Sequence, residues 1–93
     1  MPIIVAGKLI LKPKVREEFI EKSISAMLLA RQNKSCEDFS VSPDPIDENR
    51  INIFEKWATR AALLEFRDLG PESDIFTLVD AFDIKEYDVI DRL

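Results

Sequence analysis

Glu55 and Trp57 are the two side chains whose types and spacing best suit chemistry. They lie in the stretch Arg50–Trp57, where Ile51, Ile53, Glu55 and Trp57 alternate with Asn52, Phe54 and Lys56. That is the period of a strand, so the carboxylate and the indole share a face. A glutamate near pKa ~4.3 facing a phenol near ~10 is about six units short of deprotonating it, or about 8 kcal/mol. Burial raises a carboxylate by up to ~3 units, so a base at Glu55 calls for an unusually acidic substrate. A plainer reading stands beside this one. Trp57 is then core, and Glu55 accepts hydrogen bonds from nearby backbone or from an arginine such as Arg31 or Arg60.

The chain contains no histidine. Ser/His/Asp and Cys/His nucleophile systems, His-bearing zinc sites and proximal-His haem ligation are thereby excluded. The single cysteine, Cys36, cannot form an internal disulfide and reads as a small buried hydrophobe, with no histidine or close cationic pair to lower its pKa. Asp44, Asp47 and Glu48 do not match the spacing of a calcium loop and read as a solvated turn. Asn52 and Tyr87 are polar residues on strands that could bond a ligand or simply face outward. Metal and organic cofactors are therefore not expected.

Composition narrows the partners. Thirteen basic against eighteen acidic residues give a net charge of −5, and the densest basic run, Lys8, Lys12, Lys14 and Arg16, is diluted at once by Glu17 and Glu18. Phosphate backbones and anionic lipid surfaces would be repelled, so neither nucleic acid nor membrane is an expected partner. No charged-then-apolar leader and no run of eighteen apolar residues opens the chain, which points to a reducing cytoplasm. Ninety-three residues, 46% apolar and 33% charged, make one domain of residues 1–93. At this size folding buries only a little over ~60% of the unfolded chain's surface.

The elements that must position Glu55 follow from punctuation and period. Pro2 and Pro13 bracket a β-branched, apolar strand from Ile3 to Leu11. From Lys14 to Arg31 the spacing of Val15, Phe19, Ile20, Ile24, Met27 and Leu28 predicts an amphipathic helix, with Pro13 near its start. Asn33 suits a left-handed helix stop. A second strand is expected over Glu37 to Val41, then a loop in which Pro43 and Pro45 forbid ladder pairing. Beyond the strand Arg50–Trp57, Thr59 caps a helix running to Leu69 that Gly70-Pro71 stops. Ser73 caps a short helical stretch to Ala81, and a last strand runs from Phe82 to Ile90. The order is βαββαβ: an α+β, ferredoxin-like domain with a four-stranded antiparallel sheet and its helices on one face.

Such a sheet leaves its other face open. Phe54 falls there if Ile51, Ile53 and Trp57 look toward the helices, and the first strand is apolar on both sides. A patch of several hundred Å² would be exposed, more than soluble monomers usually tolerate. Pairing with a second copy, face to face, is the expected remedy.

Several local strings resemble the antibiotic biosynthesis monooxygenase family. They are Ala6-Gly7-Lys8, Arg16-Glu17-Glu18-Phe19, Cys36 after the helix stop, and Phe54-Glu55-Lys56-Trp57 followed by Thr59 and Ala62-Leu63. The resemblance implies a dimeric α+β barrel and a hydrophobic pocket between sheet and helices, lined by Phe19, Ser23, Met27, Trp57 and Phe66. It further implies a cofactor-independent oxygenase acting on a small phenol- or quinol-like aromatic, with Glu55 as base or orienting acceptor and Trp57 as an aromatic wall. Phe66 stands where the family usually carries a histidine, and Asn33-Lys34-Ser35 replaces its usual Glu-Pro-Gly. With only the tryptophan of the haem-degrading branch's functional set present, haem turnover is disfavoured. A non-catalytic small-molecule-binding or structural homodimer of the same fold is the alternative.

Overall fold

The computed structural model describes residues 1–69 and 73–90, apart from the side chains of 73 and 74. Seven elements follow one another: β1 (Ile3–Leu11), α1 (Arg16–Gln32), β2 (Cys36–Pro43), β3 (Arg50–Trp57), α2 (Arg60–Leu69), a 3-10 turn (Ser73–Leu78) and β4 (Val79–Asp88). The strands form one antiparallel sheet in the order β2-β3-β1-β4. This is the ferredoxin-like α+β arrangement expected from the sequence. Among the described residues, no helix is long and apolar enough to cross a membrane.

Alternation along β1 and β3 sends Ile3, Val5, Ile51 and Trp57 toward the helices, where all four are buried. Two packed clusters result. Ile3, Val5, Ala30, Phe39, Trp57 and Leu63 fill one end of the sheet, and Leu11, Phe19, Ile51, Ile75 and Leu78 fill the other. The opposite face carries Ile4, Ala6, Ile10, Phe54 and Tyr87 among Lys8, Asn52 and Lys56, with Phe54 37% and Tyr87 52% exposed.

β1 sits between β3 and β4, and Gly7 is its midpoint, opposite Ile53 on one side and Ile84 on the other. Its φ of 154° is one that side-chain-bearing residues rarely adopt, and a methyl there would run into the Asp83 carbonyl and lie 2.8 Å from Ile84 Cα. Only glycine lets β4 come this close.

Several boundaries differ from the sequence reading, among them the end of β4, which stops at Asp88 rather than Ile90. α1 starts at Arg16 because Lys14 takes a left-handed φ of 64°, which no right-handed helix can include. It ends with Asn33 extended rather than left-handed; the Asn33 side chain accepts from Ser35 N at 2.9 Å and makes the turn instead. β2 runs on to Pro43, opposite Ile51, since a sheet edge tolerates a proline that a central strand would not. The expected helical stretch to Ala81 is a 3-10 turn that stops at Leu78, because Val79 already pairs with Leu11 as the start of β4. The Gly70-Pro71 stop and the Ser73 cap lie outside the described residues.

Candidate functional site

Strand period brings Glu55 and Trp57 to the helix side of β3, and the Trp57 Nε1–H donates to Glu55 Oε1 at 3.0 Å. Trp57 is fully buried. Its ring stacks at a tilt on Phe66 of α2, centroids 5.0 Å apart, and meets Phe39 of β2 edge-on at 6.5 Å. Phe39 and Phe66 touch at 5.6 Å, closing an aromatic triad drawn from β2, β3 and α2. α2 is brought over the triad by Thr59, whose Oγ1 accepts from Ala62 N at 3.1 Å, and is held there by buried Leu63.

Glu55 is half-buried, and its desolvation pushes the carboxyl above the ordinary glutamate range. The Trp57 N–H and the positive charge of Arg67 oppose that rise, and the negative charge of Glu86 adds to it. Arg31 and Arg60, the expected arginine partners, are engaged elsewhere. Arg31 Nε donates to the Phe39 carbonyl at 3.0 Å, and Arg60 pairs with Glu86 at 2.6 Å and Asp88 at 3.5 Å. Glu55 thus takes its hydrogen bond from its own strand. The geometric reason is that α2 carries Arg60 out over the β4 edge, where Glu86 and Asp88 reach it first.

The expected pocket residues divide. Phe66 stacks on Trp57 and Met27 packs against the cluster that contains it, whereas Phe19 belongs to the cluster at the far end of the sheet. Ser23 is buried and donates to the Ile20 carbonyl of its own helix at 2.7 Å. Two contributors escape a reading of the chain alone. Phe39 sits on the expected second strand without a motif to mark it. Glu86 becomes a neighbour of Glu55 only because Val5 of β1 is opposed by both.

Other candidates take structural places. Cys36 is half-buried, its thiol pushed up chiefly by desolvation, and it donates weakly to the Asp38 carbonyl at 3.4 Å. Asn52 donates to Asp44 at 3.0 Å and accepts from Arg50 at 2.7 Å. Asp44 is therefore more than a solvated turn residue. It accepts from Asn52 and from the backbone N–H groups of Asp47 and Ile46, which hold its carboxyl down at about 2. Arg16 ties the same loop to α1 by donating to the Asp44 carbonyl at 2.8 Å. A surface cleft of about 500 Å³ lined by Lys14, Arg16, Glu17 and Glu48 lies at that end, away from Glu55 and Trp57.

The family model described as antibiotic biosynthesis monooxygenase matches residues 2–71. Uncharacterized protein sll1783 of Synechocystis is 39% identical over 62 residues, which are 67% of this chain; the chain spans 42% of the length of that curated relative. Among solved structures, Rv0793 from Mycobacterium tuberculosis has a TM-score of 0.84 at 18% identity, over 99% of this chain and 98% of that one. A Deinococcus radiodurans structure bearing the family's name has a TM-score of 0.83 at 19% identity, over 98% and 95%. At these identities the structures establish the shared fold.

Proposed function

This chain belongs to the antibiotic biosynthesis monooxygenase family, and from that premise we propose that residues 1–93 act as one cytoplasmic domain, paired with a second copy. In this reading the domain oxidises a small phenol- or quinol-like aromatic without metal or flavin. The observation that carries the reading is Glu55. Its carboxylate is half-buried, raised by desolvation, and among the described residues has the Trp57 N–H as its direct partner rather than a cation. Such a group is a better base than an exposed glutamate and is not tied up in an ion pair.

The chemistry asks little else of the protein. Glu55 accepts the proton of an acidified C–H or O–H, and the apolar surface of Trp57, Phe66 and Met27 holds the resulting anion away from water. For an anthrone-like substrate, the carbanion transfers its electrons to dioxygen and forms a C–O bond. The peroxide takes the proton back from Glu55, the O–O bond breaks as the second C–H proton leaves, one oxygen atom remains as the new carbonyl, and the other departs with both protons as water.

Dimerisation is supported by the open sheet face, where Phe54 and Tyr87 lie exposed beside half-buried Ile4, Ala6 and Ile10. The test of the oxygenase is oxygen uptake with a panel of hydroquinones and anthrones. Uptake should depend on the protein and on air, and should be lost in Glu55→Gln. Equal substrate loss with and without protein overturns the reading.

A second reading rests on a different observation: Trp57 is fully buried beneath Leu63 and Phe66. A filled core of this kind suits a non-catalytic small-molecule-binding or structural homodimer. Trp57→Phe separates the two, lowering mainly the melting temperature of a scaffold and mainly the substrate affinity of an oxygenase.

A further inference from the structure

The β4 edge of the sheet, across β1 from Glu55, carries a charge cluster shared with α2. Arg60 and Arg67 are seven residues apart, two turns of α2, and so project from the same face of the helix. Both reach the same carboxylate: Arg60 Nη1 lies 2.6 Å from Glu86 Oε1, and Arg67 Nη1 lies 3.0 Å from Glu86 Oε2. Arg60 also extends to Asp88 at 3.5 Å. Glu86 and Glu55 stand on either side of Val5, in register across β1 and on the same face.

We infer that Glu86 is a positioning residue for Glu55: by holding Arg67 against β4 it keeps that guanidinium from pairing with the Glu55 carboxylate, which is left free to take a proton. The inference rests on the reading of Glu55 as a base. The charged and titratable groups that act on Glu55 are Arg67 from α2 and Glu86 from β4, and Cys36 of β2 feels the Glu55 charge in turn; Arg60 and Asp88 join the Glu86 pair, and Arg31 of α1 faces Cys36 and donates to the Phe39 carbonyl. Arg67 is the cation near enough to lower Glu55, and Glu86 is the group that holds it at 3.0 Å. Two guanidinium groups are matched by Glu86 and Asp88, so only part of the Arg67 charge acts on Glu55. Without the Glu86 charge, Arg67 would turn to the nearest buried carboxylate, since an opposite charge within a few ångströms strongly favours ionisation.

The chain has a single tryptophan, and its N–H is bonded to the group in question. The NMR signal of the Trp57 indole N–H is therefore a built-in reporter of Glu55 protonation, readable without substrate. In the wild type this signal should titrate with Glu55, and in Glu55→Gln it should not. Glu86→Gln should move the midpoint to lower pH, and Glu86→Gln combined with Arg67→Gln should bring it back up, because the released cation is gone. A Glu86 that merely staples α2 to β4 would also loosen the site when removed, but Arg67→Gln would then raise the midpoint by no more in the Glu86→Gln background than it does in the wild type. An unchanged or raised midpoint in Glu86→Gln, or an Arg67→Gln rise no larger in that background than in the wild type, overturns the inference. If Glu86→Gln does not fold, Arg67→Gln alone serves: with Arg60 still holding Glu86, the midpoint should rise, and an unmoved midpoint overturns the inference. Expected titrations in a protein that consumes no substrate would leave the positioning intact and remove the oxygenase reading.

Discussion

The Trp57 indole N–H donates to Glu55, two residues earlier on the same strand, at 3.0 Å, so one hydrogen bond satisfies a fully buried donor and a half-buried carboxylate together. A change that removes either the indole donor or the acceptor oxygen leaves the other residue with a polar group to solvate.

Ionising Glu55 should weaken the fold. Burial raises its pKa above the ordinary value of 4.5, so the native state holds this proton more tightly than the unfolded chain does. The associated stability is complete below the unfolded value and is lost as pH rises through the folded one. Glu55→Gln, which keeps an acceptor for Trp57, should therefore gain stability relative to wild type as pH is raised from about 4.5 toward neutrality. Urea midpoints of the two proteins across that range check the sign.

Trp57→Ala should cost about 3–5 kcal/mol, the usual penalty for truncating a buried aromatic. Trp57→Phe retains most of the contact with Phe39 and Phe66 but deprives Glu55 of its donor, and should cost about 1–3 kcal/mol. Denaturant unfolding followed by circular dichroism measures both.

Gly7→Ala should be among the most damaging single-methyl changes in the chain. The new carbon meets the backbone of β4 rather than a side chain that can swing away, and the φ of 154° is strained for alanine besides. A loss of at least about 2 kcal/mol is expected, read as a lowered melting temperature or as failure to accumulate folded protein.

Asp44 should contribute to acid stability in a definite window. Its pKa is depressed from 3.8 to about 2 by Asn52 and the Asp47 and Ile46 N–H groups, so its contribution is present above 3.8 and disappears as pH falls toward 2. Asp44→Ala should be less stable than wild type near neutrality, with the gap shrinking across that acid interval.

On the proposed pairing of two sheets, Phe54→Asp should weaken self-association. Placing a charge on the open face, where Phe54 pairs across from Ala6 and Ser40, should raise the dimer dissociation constant at least ~10-fold, about 1.4 kcal/mol. Analytical ultracentrifugation at several concentrations reads the change.

Much of this structure is written in local pattern. The two-residue period of Arg50–Trp57 fixes that Glu55 and Trp57 share a face, because successive side chains on a strand must alternate. Thr59 announces the start of α2 because a hydroxyl there meets a free N–H, and it does so at Ala62. The missing histidine excludes whole classes of chemistry whatever the fold. Boundaries were less legible where a competing interaction prevailed, as at Lys14, Asn33, Pro43 and Val79.

What Glu55 can do was decided by tertiary structure. Its raised carboxyl depends on burial, and its neighbours depend on the strand order β3-β1-β4, which sets Glu86 across Val5 from a residue 31 positions earlier. The same order draws Arg60 and Arg67 to β4 and away from Glu55. Period and capping act within a few residues and are visible in the chain. Desolvation and the choice of ion partner are set by groups far apart in sequence, and exist only once the sheet has assembled.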